Sequence, residues 1–323
     1  MSRINRMKQL IEKLNRAGKA YYQEDKEIMS NYEYDALYDE LAALEKETNT
    51  VFANSPTIHV GYELLKELEK EAHESPMLSL DKTKEVGALA DWLGEQEGIL
   101  SWKLDGITIV LTYEDGVLKK AVTRGNGQVG EVITNNAKTF QNLPAHIDFP
   151  GRLVLRGEAI IRYSDFERMN EQIQDVDAKY KNPRNLCSGS VRQLNNEVTA
   201  QRNVQFYAFH LVSAQGVELS NSIAQRFEWL RSLGFQVVEY ERVTRDTIPQ
   251  AVEGFAKRIA QMDEPSDGLV LIYDDIAYGE SLGRTAKFPR NSIAFKWADE
   301  TAVTKLSHIL WSPSRTGLIN PVA

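Results

Sequence analysis

Apolar residues in this chain change their spacing near residue 77, and that change limits the folds open to it. Before it, Ile4, Met7, Ile11 and Leu14 recur at helical intervals, which predicts a helix over 3–18. A second helix is predicted from Ser30, which has Glu33 three residues on in a capping-box arrangement. Its apolar stripe is Tyr34, Leu37, Tyr38, Leu41 and Leu44. Two helices with a short connection read as an antiparallel pair, ending at the turn Asn54-Ser55-Pro56. A charged segment over 61–73 is predicted helical, and Glu74-Ser75-Pro76 turns the chain into its larger part.

From 77 onward strands alternate with isolated helices. Strands are predicted near 107–113, 117–123, 152–162, 204–212, 235–243, 268–274 and 292–298. Helices are predicted near 84–96, 165–174, 221–233 and 246–262, the second with Ser164 and Glu167 as a capping box. Strands that arrive in hairpin-like pairs favour an α+β fold with antiparallel sheets over a doubly wound one. No internal repeat or low-complexity tract interrupts the pattern.

At 323 residues the chain has room for two domains. No apolar run approaches the ~18 residues that span a bilayer, so no membrane partner is expected. The start of the chain lacks the apolar core of a secretory signal, and the reduced cytoplasm is the expected compartment. One cysteine, Cys187, excludes an internal disulfide and a thiolate zinc site; among small residues it reads as buried filler. The net charge of -8 argues against indiscriminate polyanion binding but leaves room for a local basic cleft. The first 74 residues hold 10 Lys/Arg against 15 Asp/Glu, so the helical pair is the less suitable half for gripping a polyanion.

Charged residues break the strand pattern at a few places. Lys103-Leu104-Asp105-Gly106 stands ahead of the apolar run Ile107, Ile109 and Leu111 and the turn Glu114-Asp115-Gly116. A lysine at the mouth of a sheet becomes a nucleophile when desolvation or neighbouring cations favour its neutral amine. Arg124-Gly125-Asn126-Gly127 is a glycine-rich loop whose N–H groups can approach a phosphate or ribose. Arg156-Gly157-Glu158 interrupts an apolar strand, where glycine marks a close approach and the glutamate needs a polar partner. Asp267-Gly268 opens another strand, and Phe295-Lys296-Trp297 sets a second lysine among strand hydrophobics. Each alone reads equally well as a solvated strand end; together, on one sheet system, they point to a site.

The ordered set Lys103-Leu104-Asp105-Gly106, Arg124-Gly125, Arg156-Gly157-Glu158, Asp267-Gly268 and Ala294-Phe295-Lys296 resembles the nucleotidyltransferase motifs of polynucleotide ligases. Met77-Leu78-Ser79-Leu80, Asn182-Pro183-Arg184-Asn185, Gly189 to Leu194 and Arg315-Thr316-Gly317 look like the NAD-dependent bacterial DNA ligases, of which the chain would be a divergent member. The resemblance covers essentially the whole chain. It implies a helical nicotinamide mononucleotide (NMN)-binding subdomain with linker over 1–74 and an adenylation (nucleotidyltransferase, ATP-grasp-like ligase) domain over 75–304. Residues 305–323 would begin a truncated oligonucleotide-binding (OB-fold) barrel, and the whole would read as a fragment with weak nick sealing. A hinge is expected near 54–76.

The same resemblance implies the site. Lys103 would attack the α-phosphorus of NAD, and Lys296, Arg184, Arg192 and Mg2+ would stabilise the transferring group, with no metal ligands assigned. Asp105 would orient Lys103 or assist the metal, Glu158 would accept from the ribose, and Arg124 would brace the ribose or phosphate. Ser79, Leu80, Ser101, Leu104, Gly106 and Asp267 would shape the nucleotide pocket, and Phe209 would face adenine. Tyr21, Tyr22, Asn31, Tyr34 and Asp35 would bind the NMN half. Departures from the family pattern stand at Ser101 (usually glutamate), Ile272 (lysine), Asn126 (aspartate), Tyr22 (histidine) and Asn31 (aspartate). Nicked double-stranded DNA is the implied partner of a monomer. A covalent nucleotidyltransferase that uses ATP, and a non-catalytic nucleotide- or DNA-binding module, are the alternatives.

Overall fold

The structure is a computed structural model that describes residues 2–23, 29, 31–52, 54–57, 67–173, 179–285, 287–297, 305–313 and 319–322. It begins with helices α1 (Arg3–Gln23) and α2 (Asn31–Thr48) and strands β1 (Val51–Phe52), β2 (Lys70–Ala72) and β3 (Asp81–Thr83). Helix α3 (Val86–Leu93), strands β4 (Gly98–Leu104), β5 (Ile107–Glu114), β6 (Val117–Thr123) and β7 (Val129–Glu131), and helix α4 (Thr134–Ala137) come next. Strands β8 (Pro144–His146) and β9 (Leu153–Ile160) lead to helices α5 (Tyr163–Glu171), α6 (Pro183–Val191) and α7 (Asn196–Ala200). Then come β10 (Gln205–Ala214), α8 (Ile223–Ser232), β11 (Tyr240–Val243) and α9 (Ile248–Arg258). The last elements are β12 (Ser266–Tyr273), α10 (Ile276–Ser281), β13 (Ser292–Phe295), β14 (Leu310–Pro313) and β15 (Ile319–Val322).

The helical pair forms on the stripe read from the sequence. Met7, Leu10, Ile11, Leu14 and Leu41 are buried with Phe52, and Tyr34, Leu37, Tyr38 and Leu44 pack around them. The capping Ser30 lies outside the described residues. Phe52 belongs to β1, which pairs with β8, so a strand of the large sheet completes the core of the helical pair.

Among the described residues, beside the two-stranded ladders β2-β7 and β14-β15, two larger sheets form most of the rest. One has the order β1-β8-β6-β5-β9-β10, the other β11-β4-β12-β13-β3, and every ladder is antiparallel except β13 against β3. Helices flank the sheets, giving the α+β arrangement with antiparallel sheets. A continuous apolar core joins residues of both, from Leu100 and Trp102 to Leu155, Phe206 and Leu271. Strand β4 has no counterpart among the expected strands. Its residues Gly98 to Trp102 are buried without alternation, which removes the period-two signal.

The structure corrects two expectations besides. Within 61–73 the described part is extended, not helical: Lys70–Ala72 pairs with Val129–Glu131, and Lys120 Nζ holds Glu71 at 2.7 Å. The alternating charges that mimic a helix face are here the exposed edge of a two-residue-period strap. Ser164 does not cap α5. Asp263 does so from another segment, accepting from the Ser164 N–H at 2.8 Å and hydroxyl at 2.6 Å.

Gly157 shows how tightly β9 and β10 approach. A Cβ there would lie 2.2 Å from the Phe206 ring and 2.5 Å from the Tyr207 carbonyl. Phe206 is wholly buried and cannot step aside. Gly157→Ala should therefore cost about 1–3 kcal/mol by overpacking, seen as a lower midpoint in urea unfolding; an unchanged midpoint would contradict this packing.

Candidate active site

Three strand ends of the five-stranded sheet converge on one carboxylate. Strand β12 lies between β4 and β13, and its register slips between Ser266 and Leu269. Such a bulge re-aims a side chain, and here it carries Asp267. Lys103, near the end of β4, donates to Asp267 Oδ1 at 2.7 Å, and Lys296, just beyond β13, donates to Oδ2 at 2.7 Å. Gly268 lets the strands close at this point: its φ is 151°, and a Cβ would meet the Phe295 carbonyl at 2.1 Å. Burial pushes the Asp267 carboxyl up, but the hydrogen bonds and charges of Lys103 and Lys296 outweigh it and hold it below its ordinary range. All three side chains stay partly exposed, so a ligand can reach them.

The six-stranded sheet supplies the facing wall. Thr108 and Glu158 are direct cross-strand partners on β5 and β9. Glu158 accepts from the Thr108 hydroxyl at 2.8 Å and from the Gly106 N–H at 3.1 Å. Burial pushes its carboxyl up to about 7, against the Thr108 and Gly106 hydrogen bonds and the charges of Lys103 and Arg184. Gly106 admits no side chain, because a Cβ would lie 2.0 Å from the Ala159 carbonyl.

Asp105 differs from its expected role toward Lys103. Its carboxylate takes Arg184 at 2.7 Å, while its N–H donates to the Pro265 carbonyl at 2.8 Å. Arg184 sits in the first turn of α6, where Asn182 caps by accepting from the Asn185 N–H and Pro183 occupies the first turn. Arg192, at the other end of α6, is engaged by Glu131 and by Ser188 rather than by the carboxylates around Lys103. Cys187 is buried filler as read, its thiol against the Ala159 carbonyl and pushed up by burial.

The glycine loop joins this wall through its backbone. The Arg124 N–H donates to the Thr108 carbonyl at 2.8 Å, and its guanidinium reaches the Ser79 hydroxyl at 3.2 Å. Asn126 Oδ1 accepts from the N–H groups of Gln128 and Val129, both at 2.9 Å, an acceptor role that an amide fills as well as a carboxylate. Leu80 is half-buried beside Ser79, and Leu104 packs against the core. Phe209 lies at a register slip of β10 and is 36% exposed. Register puts Ser101 opposite Val270 and Ile99 opposite Ile272, so Ser101 and Ile272 share the Lys103 face as neutral neighbours. Tyr34 stacks on Tyr38 at 6.4 Å within the helical pair. Tyr21, Tyr22, Asn31 and Asp35 lie on α1 and α2, and their side chains fall outside the described residues. Thr108 was not among the expected site residues; only the pairing of β5 with β9 reveals it.

Among the described residues no three His, Cys, Asp or Glu side chains gather as a cation cage. Magnesium is commonly held through one or two carboxylates together with waters and substrate phosphates; the nearby carboxylates here are engaged by protein donors, Asp105 by Arg184 and Glu158 by Thr108 and Gly106. No helix among the described residues is long and apolar enough to cross a membrane.

Comparison with known proteins agrees with this geometry. Residues 65–300 match the NAD-dependent DNA ligase adenylation domain, and residues 1–61 match the DNA ligase-like N-terminal NAD+-binding domain. A DNA ligase of Ruminiclostridium cellulolyticum is 66% identical over 321 residues, covering 99% of this chain and 49% of that protein. One of Lachnoclostridium phytofermentans is 64% identical over 318 residues, covering 98% and 49%. DNA ligase 2 of Clostridium acetobutylicum is 35% identical over 343 residues, covering 100% and 51%. The chain spans about half the length of these curated relatives. With both family matches in register with the helical pair and the two-sheet unit, the chain belongs to the NAD-dependent DNA ligase family.

Proposed function

We propose that this chain carries out the self-adenylation step of a DNA ligase, with NAD as adenylyl donor. The observation that supports it most is the Lys103–Asp267–Lys296 group, set between the two sheets of a segment matching an adenylation domain. Lys103 Nζ attacks the α-phosphorus; a P–N bond forms, and the P–O bond to NMN breaks. The amine must first shed a proton, and Asp267 is the carboxylate in contact with it. Lys296 and Arg184 oppose the negative charge spread over the phosphoryl oxygens, where positioning and fixed charge do most of the work. Mg2+ would add charge at the phosphates. Glu158, ionised, accepts from the ribose hydroxyls, and Arg124 braces the same side. Phe209 and the neutral surface of Ser101 and Ile272 receive the base, and the helical pair takes the NMN half. In a longer enzyme the adenylyl group passes to the 5′-phosphate of nicked DNA. The protein acts as a cytoplasmic monomer.

Intact-mass measurement after incubation with NAD or with ATP, magnesium present, tests the donor. One adenylyl group should appear with NAD, none with ATP, and none on Lys103→Ala. No adduct from wild type and NAD would refute the reading. Lys296→Ala should slow adduct formation ~100-fold or more and leave the melting temperature near wild type.

Glu158 gives two consequences for pH. Donor affinity should strengthen as pH rises through about 7, where the carboxyl ionises, and Glu158→Gln should flatten that dependence while weakening binding. The same group opposes stability as pH rises from its ordinary 4.5 to about 7, because the folded state holds the proton more tightly than the unfolded state. Thermal melts should therefore favour Glu158→Gln over wild type more at pH 8 than at pH 5. Parallel melt curves would contradict the elevated ionisation.

A further inference from the structure

A second polar group ties the two sheets together beside the site, and none of the motifs includes it. Tyr207 on β10 is the direct cross-strand partner of Glu158, so the order Thr108, Glu158, Tyr207 runs across one face of the sheet. The Tyr207 hydroxyl donates to Glu264 Oε1 at 2.9 Å and accepts from Arg162 Nη2 at 3.0 Å. Arg162 closes the triangle on Glu264 at 3.2 Å. Arg162 follows β9, whereas Glu264 precedes β12, so this triangle spans elements of the two sheets.

Segment 263–267 is the part of the chain that feeds the site. Asp263 holds Ser164, and the Tyr163 N–H donates to the Asp263 carbonyl at 2.9 Å. The Pro265 carbonyl receives the Asp105 N–H, and the Ser266 hydroxyl donates to the Lys103 carbonyl at 2.9 Å. Asp267 then holds both lysines. A shift of this segment would move Lys103 and Asp267 relative to Glu158, the groups that meet the two ends of the adenylate. Among the described residues Arg162 Nε is buried without a hydrogen-bond partner, and Nη2 carries the contacts with Tyr207 and Glu264.

We infer that Tyr207, Arg162 and Glu264 are positioning residues that set the spacing between the Glu158 wall and the Lys103–Asp267–Lys296 group. None of them touches the reacting atoms. Their effect is on the geometry in which Lys103 meets the α-phosphorus, where small displacements are expensive in rate. The kinetic part of this inference rests on the self-adenylation reading; the structural part does not.

Tyr207→Phe keeps the ring and removes only the hydroxyl. In single-turnover measurements it should slow lysyl-AMP formation about 5–20-fold, as expected for a lost hydrogen bond to charged groups. Half-saturation by NAD should stay within ~2-fold, since uniform binding is untouched. Glu264→Gln, which still accepts from the hydroxyl, should retain most of the rate that Glu264→Ala loses, and Tyr207→Phe combined with Glu264→Ala should be no slower than the worse single variant. Hydrogen exchange supplies a readout that needs no catalysis. Amides of 263, 264 and 266–268, together with the Asp105 amide, should exchange about 10-fold faster in Tyr207→Phe while the β5–β6 hairpin is unchanged. Normal exchange in that segment would overturn the inference whether or not wild type forms an adduct. So would accelerated exchange with an unaltered rate, or multiplicative rate losses in the double variant. Absence of any adduct in wild type would instead count against the self-adenylation reading alone.

Discussion

A single carboxylate on the central strand of a sheet, shared by lysines from the strands on either side, is the interaction on which the site depends. Asp267 is held by Lys103 and Lys296 at 2.7 Å each. The geometry requires the register slip in β12, because a regular strand would send alternate residues to opposite faces and could not bring Asp267 to both lysines. It also requires glycine at 268, where the strand bends against the Phe295 carbonyl. The cation pair, the bulge and the glycine are therefore one device. Two ammonium groups this close are tolerable only with the anion between them, which keeps them assembled.

Much of this was legible from residue spacing. The helical pair followed from the recurrence of Met7, Ile11 and Leu14, and the hairpin of β5 and β6 from alternation around Glu114-Asp115-Gly116. Lys103, Glu158, Asp267 and Lys296 stood out because charges interrupt apolar strands. Strand β4, which carries Lys103, was not visible, since both its faces are covered and its residues read as one apolar run. Long-range partners were not visible either. Thr108 beside Glu158, Asp105 against Arg184 and Asp263 capping α5 depend on which strands and segments lie together, and local sequence holds no record of that. The strap over 70–72 misled for a related reason: alternating charges fit an exposed helix or an exposed strand equally well until a partner strand is known.

The neutral residues read from the sequence as departures from the family pattern have definite places in the structure. Ser101 and Ile272 share the Lys103 face as diagonal neighbours on β4 and β12. A charged side chain at either position would have to be held in a buried or half-buried setting, Ser101 being 7% exposed, and the neutral pair avoids that desolvation cost. Asn126 is a different case: its work is to accept from two successive N–H groups, which an amide oxygen does without a negative charge.

The strap that follows the helical pair reaches the site through the backbone of that loop. The His73 N–H donates to the Gln128 carbonyl at 2.8 Å, the Met77 N–H donates to the Gly127 carbonyl at 2.9 Å, and Arg156 grips Ser75. Ser79 then meets the Arg124 guanidinium. Backbone bonds of this kind fix the loop whatever side chains the strap carries, so Arg124 is positioned by elements on both sides, Thr108 beneath and residues 73–79 above. The helical pair is fastened separately, by β1 on the far edge of the same sheet. The attachment at Val51–Phe52 and the contacts at 73–79 are thus separate footholds on the same sheet, and the second fixes the glycine loop without help from the first.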